Sequence, residues 1–298
     1  MGGTRVLMIF GFPRSGSTVL GLLVQERLGA VFCGELNNFW KRYVRGRPCS
    51  CGRPLPECPA WSEIADRVLR AEGAPYRTAE EAAAVQTLEV DRLAARNRVA
   101  YQQHLADLYR EMGAVLGTDL LIDSSKGVGD ARLVAGLDGV QTSFLYLVRD
   151  PRGTAYSRSQ GRAEHLAAGE RRRSRIEGWD DYWLARDGRE WSRMDGEAMG
   201  LLAEVPGERQ MTLRYEDFAA GPEETVDSIA SWLGGPVGHP RPAGEETHVL
   251  GGNQGVLRTQ RTTVAVAPDR RWQTGLRPYK RKLLEAVTAR GRRRHGYH

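Results

Sequence analysis

The chain has 298 residues, of which 41% are hydrophobic and 27% are charged, and both values are ordinary for a globular protein. A chain of this length can bury a core without disulfides or metals, and no apolar run approaches the roughly 20 residues that a membrane-spanning helix needs. We therefore expect one domain over residues 1–298 without a membrane span. The apolar run at 6–10 is too short for the core of a signal peptide, so we expect a cytoplasmic location.

The net charge is +6, and the excess is concentrated in two arginine-rich runs at 171–175 and 290–294. Such runs can bind a nucleic acid or another polyanion, although charge runs are more often solvated surface. The first run contains no aromatic residue, whereas surfaces that bind single-stranded nucleic acid combine cations with aromatic rings. We therefore expect no nucleic-acid partner.

Strands and helices alternate along the chain. The first predicted strand, 5–10, leads through a Gly- and Pro-rich turn into a helix that ends at Gly29. Three more strands, each followed by a helix, are predicted at 119–122, 142–148 and 210–215. This alternation predicts an α/β fold whose parallel sheet is flanked by helices.

Other segments do not follow this alternation. Residues 33–62 contain four prolines and all four cysteines, and we interpret them as irregular. Residues 63–116 are rich in Ala, Glu, Arg and Leu and predict long helices, which we interpret as a helical insertion. Further helices are predicted at 176–204 and 278–288.

Three of the four cysteines are close in sequence: Cys49, Cys51 and Cys58 have C-x-C-x6-C spacing, and Cys33 precedes them. Zinc sites usually combine two paired arms of ligands, and no second arm or pair of histidines follows here. A complete zinc set cannot be derived, so we expect no metal and no effect of chelators on activity. Packing, a disulfide and a redox role remain alternatives.

The turn after the first strand, GFPRSGST at 11–18, nearly fits the nucleotide-binding pattern G-x4-G-K-[ST], but Ser17 occupies the lysine position. Without that lysine a nucleoside triphosphatase is a poor prediction. The backbone amides at the start of the following helix can still bind an anion, with Arg14 as the cation. The candidate binding residues are Arg14, Ser15, Gly16, Ser17 and Thr18.

Two motifs together resemble those of one family. PRSGST after an apolar strand resembles the 5′-phosphosulfate loop of the sulfotransferases that use 3′-phosphoadenosine 5′-phosphosulfate (PAPS). YLVRDPRGTAYS at 146–157 resembles the same family's 3′-phosphate site. The resemblance implies a P-loop-like sulfotransferase fold, PAPS as co-substrate, and a 3′-phosphate clamp formed by Arg149 and Ser157.

Weaker matches extend the resemblance. VFCGELNNF at 31–39 is similar to the segment that carries the general base in the tyrosylprotein and carbohydrate-type branch, which implies this role for Glu35. RYEDF at 214–218 implies that Tyr215 lies near the nucleotide. The stretch from GGNQGVLRTQ through DRRW, at 251–272, resembles a nucleotide-covering loop of bacterial relatives, with Asn253 and Arg258 as candidates. Lys126, at a predicted strand end, is a candidate to stabilise charge on the leaving oxygen.

The sequence thus predicts transfer of a sulfuryl group from PAPS to an acceptor hydroxyl. The expected acceptor is a small natural product, a glycolipid or a carbohydrate, with residues 63–116 forming its pocket. The alternatives are a P-loop phosphotransferase, which would depend on Mg²⁺, and a non-catalytic module that binds polyanions.

Overall fold

The computed structural model describes residues 3–86, 95–167, 179–235, 247–252, 257 and 266–298. Within these ranges the strands are β1 (Thr4–Phe10), β2 (Val31–Gly34), β3 (Leu120–Asp123), β4 (Val140–Val148) and β5 (Gln210–Arg214). The helices are α1 (Ser17–Leu28), α2 (Phe39–Val44), α3 (Pro59–Arg70), α4 (Ala79–Gln86), α5 (Ala95–Leu116), α6 (Val128–Ala135), α7 (Pro151–Ala167), α8 (Trp179–Glu204), α9 (Tyr215–Ala220), α10 (Pro222–Trp232), α11 (Trp272–Gly275), α12 (Pro278–Val287) and α13 (Ala289–Arg294).

The five strands form one parallel sheet in the order β2-β3-β1-β4-β5. The predicted α/β class is therefore confirmed. The central strand β1 lies between β3 and β4. The next two strands in the chain, β2 and β3, lie on one side of β1, and the last two, β4 and β5, lie on the other. In open parallel sheets, ligands bind outside the carboxyl ends of the strands at such a switch point.

The central strand packs on both faces of the sheet. Val6, Met8 and Phe10 contribute to one core, whereas Leu7 and Ile9 contribute to the other. The first core is completed by side chains from α3, α5, α6 and α8, and the second mainly by α1 and α10. Burial on both faces explains why β1 is a continuous apolar run instead of an alternating pattern.

The four predicted strands are present with ends within two residues of the expected ones, but β2 was not predicted. It lies in the segment 33–62 that was interpreted as irregular, and this interpretation is wrong in part. The segment also contains α2 and the first turn of α3. A four-residue strand at the edge of the sheet, next to β3, is too short to show a period in the sequence.

The helices predicted within 63–116 are present as most of α3, as α4 and as α5. Trp61, Tyr109 and Met112 are fully buried and belong to the same core as β1. The interpretation of this region as an insertion stays a prediction. No helix within the described ranges is both long enough and apolar enough to cross a bilayer.

Candidate active site

The turn between β1 and α1 adopts a conformation that ordinary residues avoid. Gly16 has φ 93°, and a Cβ atom there would lie 2.9 Å from the ring of Tyr215. Arg14 has φ 76°, the one positive φ among the described residues other than glycine. A residue other than glycine in the left-handed region costs about 1–3 kcal/mol and is held there by its surroundings, which is typical of functional turns.

The start of α1 presents its backbone amides towards the space beside this turn. Gly16 is the N-cap, and neither a side-chain cap nor an acidic residue is present in the first turn. The first N–H groups of a helix otherwise lack partners, and together with the helix dipole they favour an anion. The buried hydroxyl of Ser15 donates to the Phe12 carbonyl oxygen at 2.6 Å, which stabilises the turn from within.

The two predicted phosphate-binding motifs meet in space. The Arg14 Nε donates to the Ser157 Oγ on α7 at 3.0 Å. Arg149, directly after β4, donates through Nη1 to the Arg14 carbonyl oxygen at 2.8 Å. Its guanidinium group also lies over the ring of Tyr215, 4.2 Å from the centroid. Four side chains predicted from three separate motifs therefore surround one spot at the carboxyl end of β1 and β4.

Glu35 and Lys126 face the same space from the other side. Lys126 Nζ forms an ion pair with Glu35 Oε1, and both side chains are mostly buried. Glu35 follows β2, whose neighbour is β3, and Lys126 lies in the loop after β3. The Gly11 amide donates to the Lys126 carbonyl oxygen at 3.1 Å, which joins this loop to the phosphate-binding turn.

A buried network holds the loop that carries Lys126. Asp123 accepts hydrogen bonds from the Tyr109 hydroxyl at 2.5 Å and from the Ser125 hydroxyl at 2.6 Å. Ser125 in turn accepts from the Asn37 amide at 2.9 Å. Burial raises the pKa of Asp123, while its hydrogen bonds to Ser125 and Tyr109 oppose the rise. The network therefore links the turn after Glu35 to the loop before Lys126.

A carboxylate that sequence reasoning did not single out contacts the predicted phosphate clamp. Asp269 Oδ2 lies 3.1 Å from Arg149 Nη2, and Asp269 also pairs with Arg271 at 2.8 Å. The hydrogen bonds from Arg271 and Arg149 hold the pKa of Asp269 well below its usual range. Its only sequence signal was the motif DRRW at 269–272, which belongs to the resemblance near the C-terminus.

These groups line one cavity of about 430 Å³. Four cationic side chains and two carboxylates border it, so positive charge is in excess. The lining includes Arg14, Gly16, Ser17, Thr18, Glu35, Lys126, Arg149, Ser157, Tyr215, Asp269 and Arg271. Of the other predicted site residues, Ser15 is buried behind the turn, and Asn253 and Arg258 lie outside the described residues.

Comparison with known proteins finds a family model that matches part of the chain. Residues 141–239, which contain Arg149, Ser157 and Tyr215, match the model described as "Sulfotransferase family". The solved sulfotransferase domain from the curacin biosynthetic pathway superposes with a TM-score of 0.55 at 19% identity, over 100% of this chain and 99% of that one.

The chain has the sulfotransferase fold. A second solved structure, sulfotransferase STF9 from Mycobacterium avium, agrees with a TM-score of 0.51 at 13% identity, over 98% of this chain and 77% of that one. No curated protein matches the chain. The resemblance to sulfotransferases is confirmed, whereas the tyrosylprotein and carbohydrate-type branch stays a prediction.

The sulfotransferase fold also brings together the three clustered cysteines and a histidine that the sequence did not associate with them. The donor atoms of Cys49, Cys51, Cys58 and His248 all lie within 4.8 Å of one another. The sequence argument looked for a second paired arm or a pair of histidines, so it did not identify this single histidine. His248 is 190 residues beyond Cys58, and only the tertiary structure could reveal this proximity.

Proposed function

We propose that the protein is an enzyme that transfers a sulfuryl group from PAPS to an acceptor hydroxyl. The observation that carries the proposal is the single cavity in which a phosphate-binding turn, an arginine–serine pair and a carboxylate–lysine pair meet. The family match and the fold support sulfuryl transfer in general. The identity of the donor rests on the cavity residues.

The residues present fit PAPS. The uncapped start of α1 and Arg14 suit a 5′-phosphosulfate, since amides at a helix N-terminus and an arginine fork both bind such anions. Arg149 and Ser157 suit a second phosphate close by, and the ring of Tyr215 borders the same space. A nucleotide with phosphates at both ends of its ribose accounts for two cationic subsites, whereas ATP carries its phosphates in one chain.

PAPS when bound supplies the sulfuryl group, which forms a bond to the acceptor oxygen as the bond from sulfur to the 5′-phosphate oxygen breaks. Glu35 is the proposed base that accepts the proton of the acceptor hydroxyl. Arg14 and the α1 amides stabilise the negative charge that grows on the 5′-phosphate. Lys126 pairs with Glu35 and lines the same cavity. It is proposed to stabilise charge on the leaving oxygen.

The proposed acceptor is a small natural product, a glycolipid or a carbohydrate, and the proposed location is the cytoplasm. The described residues of 63–86 and 95–116 do not line the cavity themselves. They support it from behind instead, because the Gln86 side chain donates to the Leu36 carbonyl oxygen at 3.2 Å, one residue after Glu35. We therefore propose that this region influences acceptor selection indirectly, because it positions the turn that carries Glu35.

A thermal-shift experiment tests the donor class. Adenosine 3′,5′-bisphosphate should raise the melting temperature well above the shift caused by ADP or Mg-ATP, since a ligand at 100 times its dissociation constant stabilises by about 2.7 kcal/mol. Arg149→Gln should remove most of this preference, and Arg193→Gln, on the exposed face of α8, serves as the control. Equal shifts for the three nucleotides, or a larger shift with Mg-ATP, would favour a phosphotransferase.

A further inference from the structure

We propose that Cys49, Cys51, Cys58 and His248 bind one zinc ion that has a structural role. Each residue offers one donor atom, and the four atoms form a compact group. None of the four cysteines in the chain forms a disulfide. The group lies outside the cavity assigned to sulfuryl transfer, so the proposal does not depend on that function.

The distances within the group match those between the ligands of a tetrahedral zinc ion. Zn–S bonds of about 2.3 Å and Zn–N bonds of about 2.0–2.1 Å place two sulfur ligands about 3.8 Å apart, and a sulfur and a nitrogen about 3.6 Å apart. Cys51 Sγ lies 3.7 Å from Cys58 Sγ. His248 Nδ1 lies 3.8 Å from Cys49 Sγ and 3.2 Å from Cys58 Sγ.

The cysteine side of the group is a tight loop followed by a helix start. Pro48 and Pro54 form an antiparallel bridge, and the Cys49 amide donates to the Arg53 carbonyl oxygen at 2.9 Å. Cys58 is the N-cap of α3. The partial positive charge at a helix N-terminus stabilises a thiolate, which is the form that binds metals.

The histidine side is attached to this loop by hydrogen bonds that do not involve the donor atoms. The Ser50 hydroxyl donates to the Thr247 carbonyl oxygen at 2.5 Å, and the Val249 amide donates to Ser50 Oγ at 2.8 Å. The Ser50 amide also donates to the Val249 carbonyl oxygen at 3.2 Å. His248 is thus held between two residues that are bonded to the loop, with its ring facing the thiols.

The donor set of three sulfur atoms and one imidazole indicates which metal the site prefers. Thiolate ligands favour Zn²⁺, Cu(I) or iron–sulfur clusters, and a tetrahedral set with imidazole is typical of zinc. A set of four protein ligands leaves no open position for a substrate or water, which distinguishes structural zinc from catalytic zinc. Cys49 and Cys58 are also nearly inaccessible to solvent, which suits a closed site.

The segment that carries His248 continues to the active-site cavity. The Leu250 amide donates to the Cys33 carbonyl oxygen, and the Glu35 amide donates to the Leu250 carbonyl oxygen, both at 2.8 Å. Gly34 has φ 87°, and a Cβ atom there would lie 2.2 Å from the Leu250 carbonyl oxygen, so this close pairing requires glycine. Two residues later, Gly252 lines the cavity. Zinc would therefore join the cysteine loop to the strand end that presents Glu35.

Metal analysis of the purified full-length protein tests the proposal directly. We expect about one zinc per chain, in line with a four-ligand site. Changes of residues that only hydrogen-bond to a metal ligand already weaken metal binding by about 10- to 100-fold. Cys58→Ser and His248→Ala should therefore lower zinc affinity more than tenfold, measured by competition with a chromogenic chelator. Cys33→Ser, a change of the cysteine outside the group, should leave zinc content and affinity unchanged.

A rescue variant separates a ligand from a residue that merely supports folding. His248→Cys provides a fourth thiolate and should retain zinc, whereas His248→Ala should lose it. Cobalt substitution gives a second readout, because the intense visible bands of a tetrahedral site should change in both intensity and position between wild type and His248→Cys. In wild type stripped of zinc, the Leu250 and Glu35 amides should exchange hydrogen faster, and added zinc should restore their protection.

Three outcomes would overturn the proposal. The first is zinc-free protein that does not take up zinc, and the second is zinc content unaffected by Cys58→Ser and His248→Ala. The third is a protein with a Cys51–Cys58 disulfide, detected as a mass loss of two hydrogens, or with iron and acid-labile sulfide. Each would assign these residues to packing or to redox chemistry.

Discussion

The ion pair between Glu35 and Lys126 forms because each residue lies just beyond the end of a strand. They are 91 residues apart and meet because β2 and β3 are neighbours that end at the same edge of the sheet. Considered alone, each side chain could be interpreted as an ordinary charge on the protein surface. Their ion pair, at the border of a cavity with excess positive charge, places the proposed base beside a cation.

The proposed base can be tested with an isosteric change. Glu35→Gln removes the basic carboxylate while the shape is kept, and positioned acid–base groups contribute about 10²–10⁴-fold. We expect PAPS-dependent turnover to fall by that factor with little change in affinity for adenosine 3′,5′-bisphosphate. Glu26→Gln, at an exposed position on α1, is the matched control. A loss below tenfold in a folded Glu35→Gln protein would contradict the assignment.

Arg14 gives a second test at the scale of one residue. Arg14→Lys retains the positive charge but loses the Nε donor that binds Ser157. A hydrogen bond from a charged group contributes about 1.5–3 kcal/mol, so turnover should fall roughly 10- to 100-fold while nucleotide still binds. Single-turnover kinetics with PAPS measure this effect. Unchanged turnover would place Arg14 outside the reacting region.

Among the elements, α8 and the C-terminal helix α13 are connected by a buried carboxylate. Asp195 on α8 accepts hydrogen bonds from Arg294 at 2.5 Å, from His295 at 2.6 Å and from the Tyr146 hydroxyl at 3.1 Å. Its side chain is 3% exposed. The arginine-rich end of the chain, which the sequence suggested as a solvated run, therefore contributes at least one side chain to a buried network beside β4.

Asp195→Ala should destabilise the fold strongly. Removal of one partner from a buried charge network costs about 3–5 kcal/mol, because the remaining charge loses its compensation. Glu197→Ala on the same helix breaks only the exposed pair with Arg193, which should cost roughly 0–1 kcal/mol. Urea unfolding of both variants compares the two values. Similar small losses would show that the Asp195 network does not hold α13.

For the protein as a whole, one buried histidine should contribute measurably to the dependence of the free energy of unfolding on pH. His104 on α5 is 1% exposed and packs against the rings of Trp40 and Tyr76. Neither of its ring nitrogens has a hydrogen-bond partner among the described residues. Burial lowers the pKa of His104 from its usual 6.5 to about 4.

Because the pKa of His104 is lower in the folded state, the unfolded chain binds more protons between pH 6.5 and pH 4. Acidification through this window should therefore reduce the free energy of unfolding, by about 3 kcal/mol in total from this group. His104→Phe keeps an aromatic ring and removes the proton site. Denaturant unfolding between pH 4 and pH 7 should give a flatter profile for the variant, and parallel profiles would contradict the prediction.

The features that depend on local pattern could be predicted without the structure. Hydrophobic runs between turn residues predicted four of the five strands, since a buried parallel strand is continuous in sequence. The turn at 11–18 and the motif at 146–157 each combine a strand end with the start of a helix, so their geometry is largely local. The α/β class and the resemblance to sulfotransferases followed from these patterns.

Which distant residues share a site was evident only from the folded chain. The pairing of Asp269 with Arg149 and the approach of His248 to the cysteines join residues that are 120 and 190 positions apart. Such contacts depend on the strand order and on the bridge between Leu250 and Gly34 at the end of β2. Strand order is set by the packing of the whole core and leaves no period in the sequence, so it could not be predicted from any single segment.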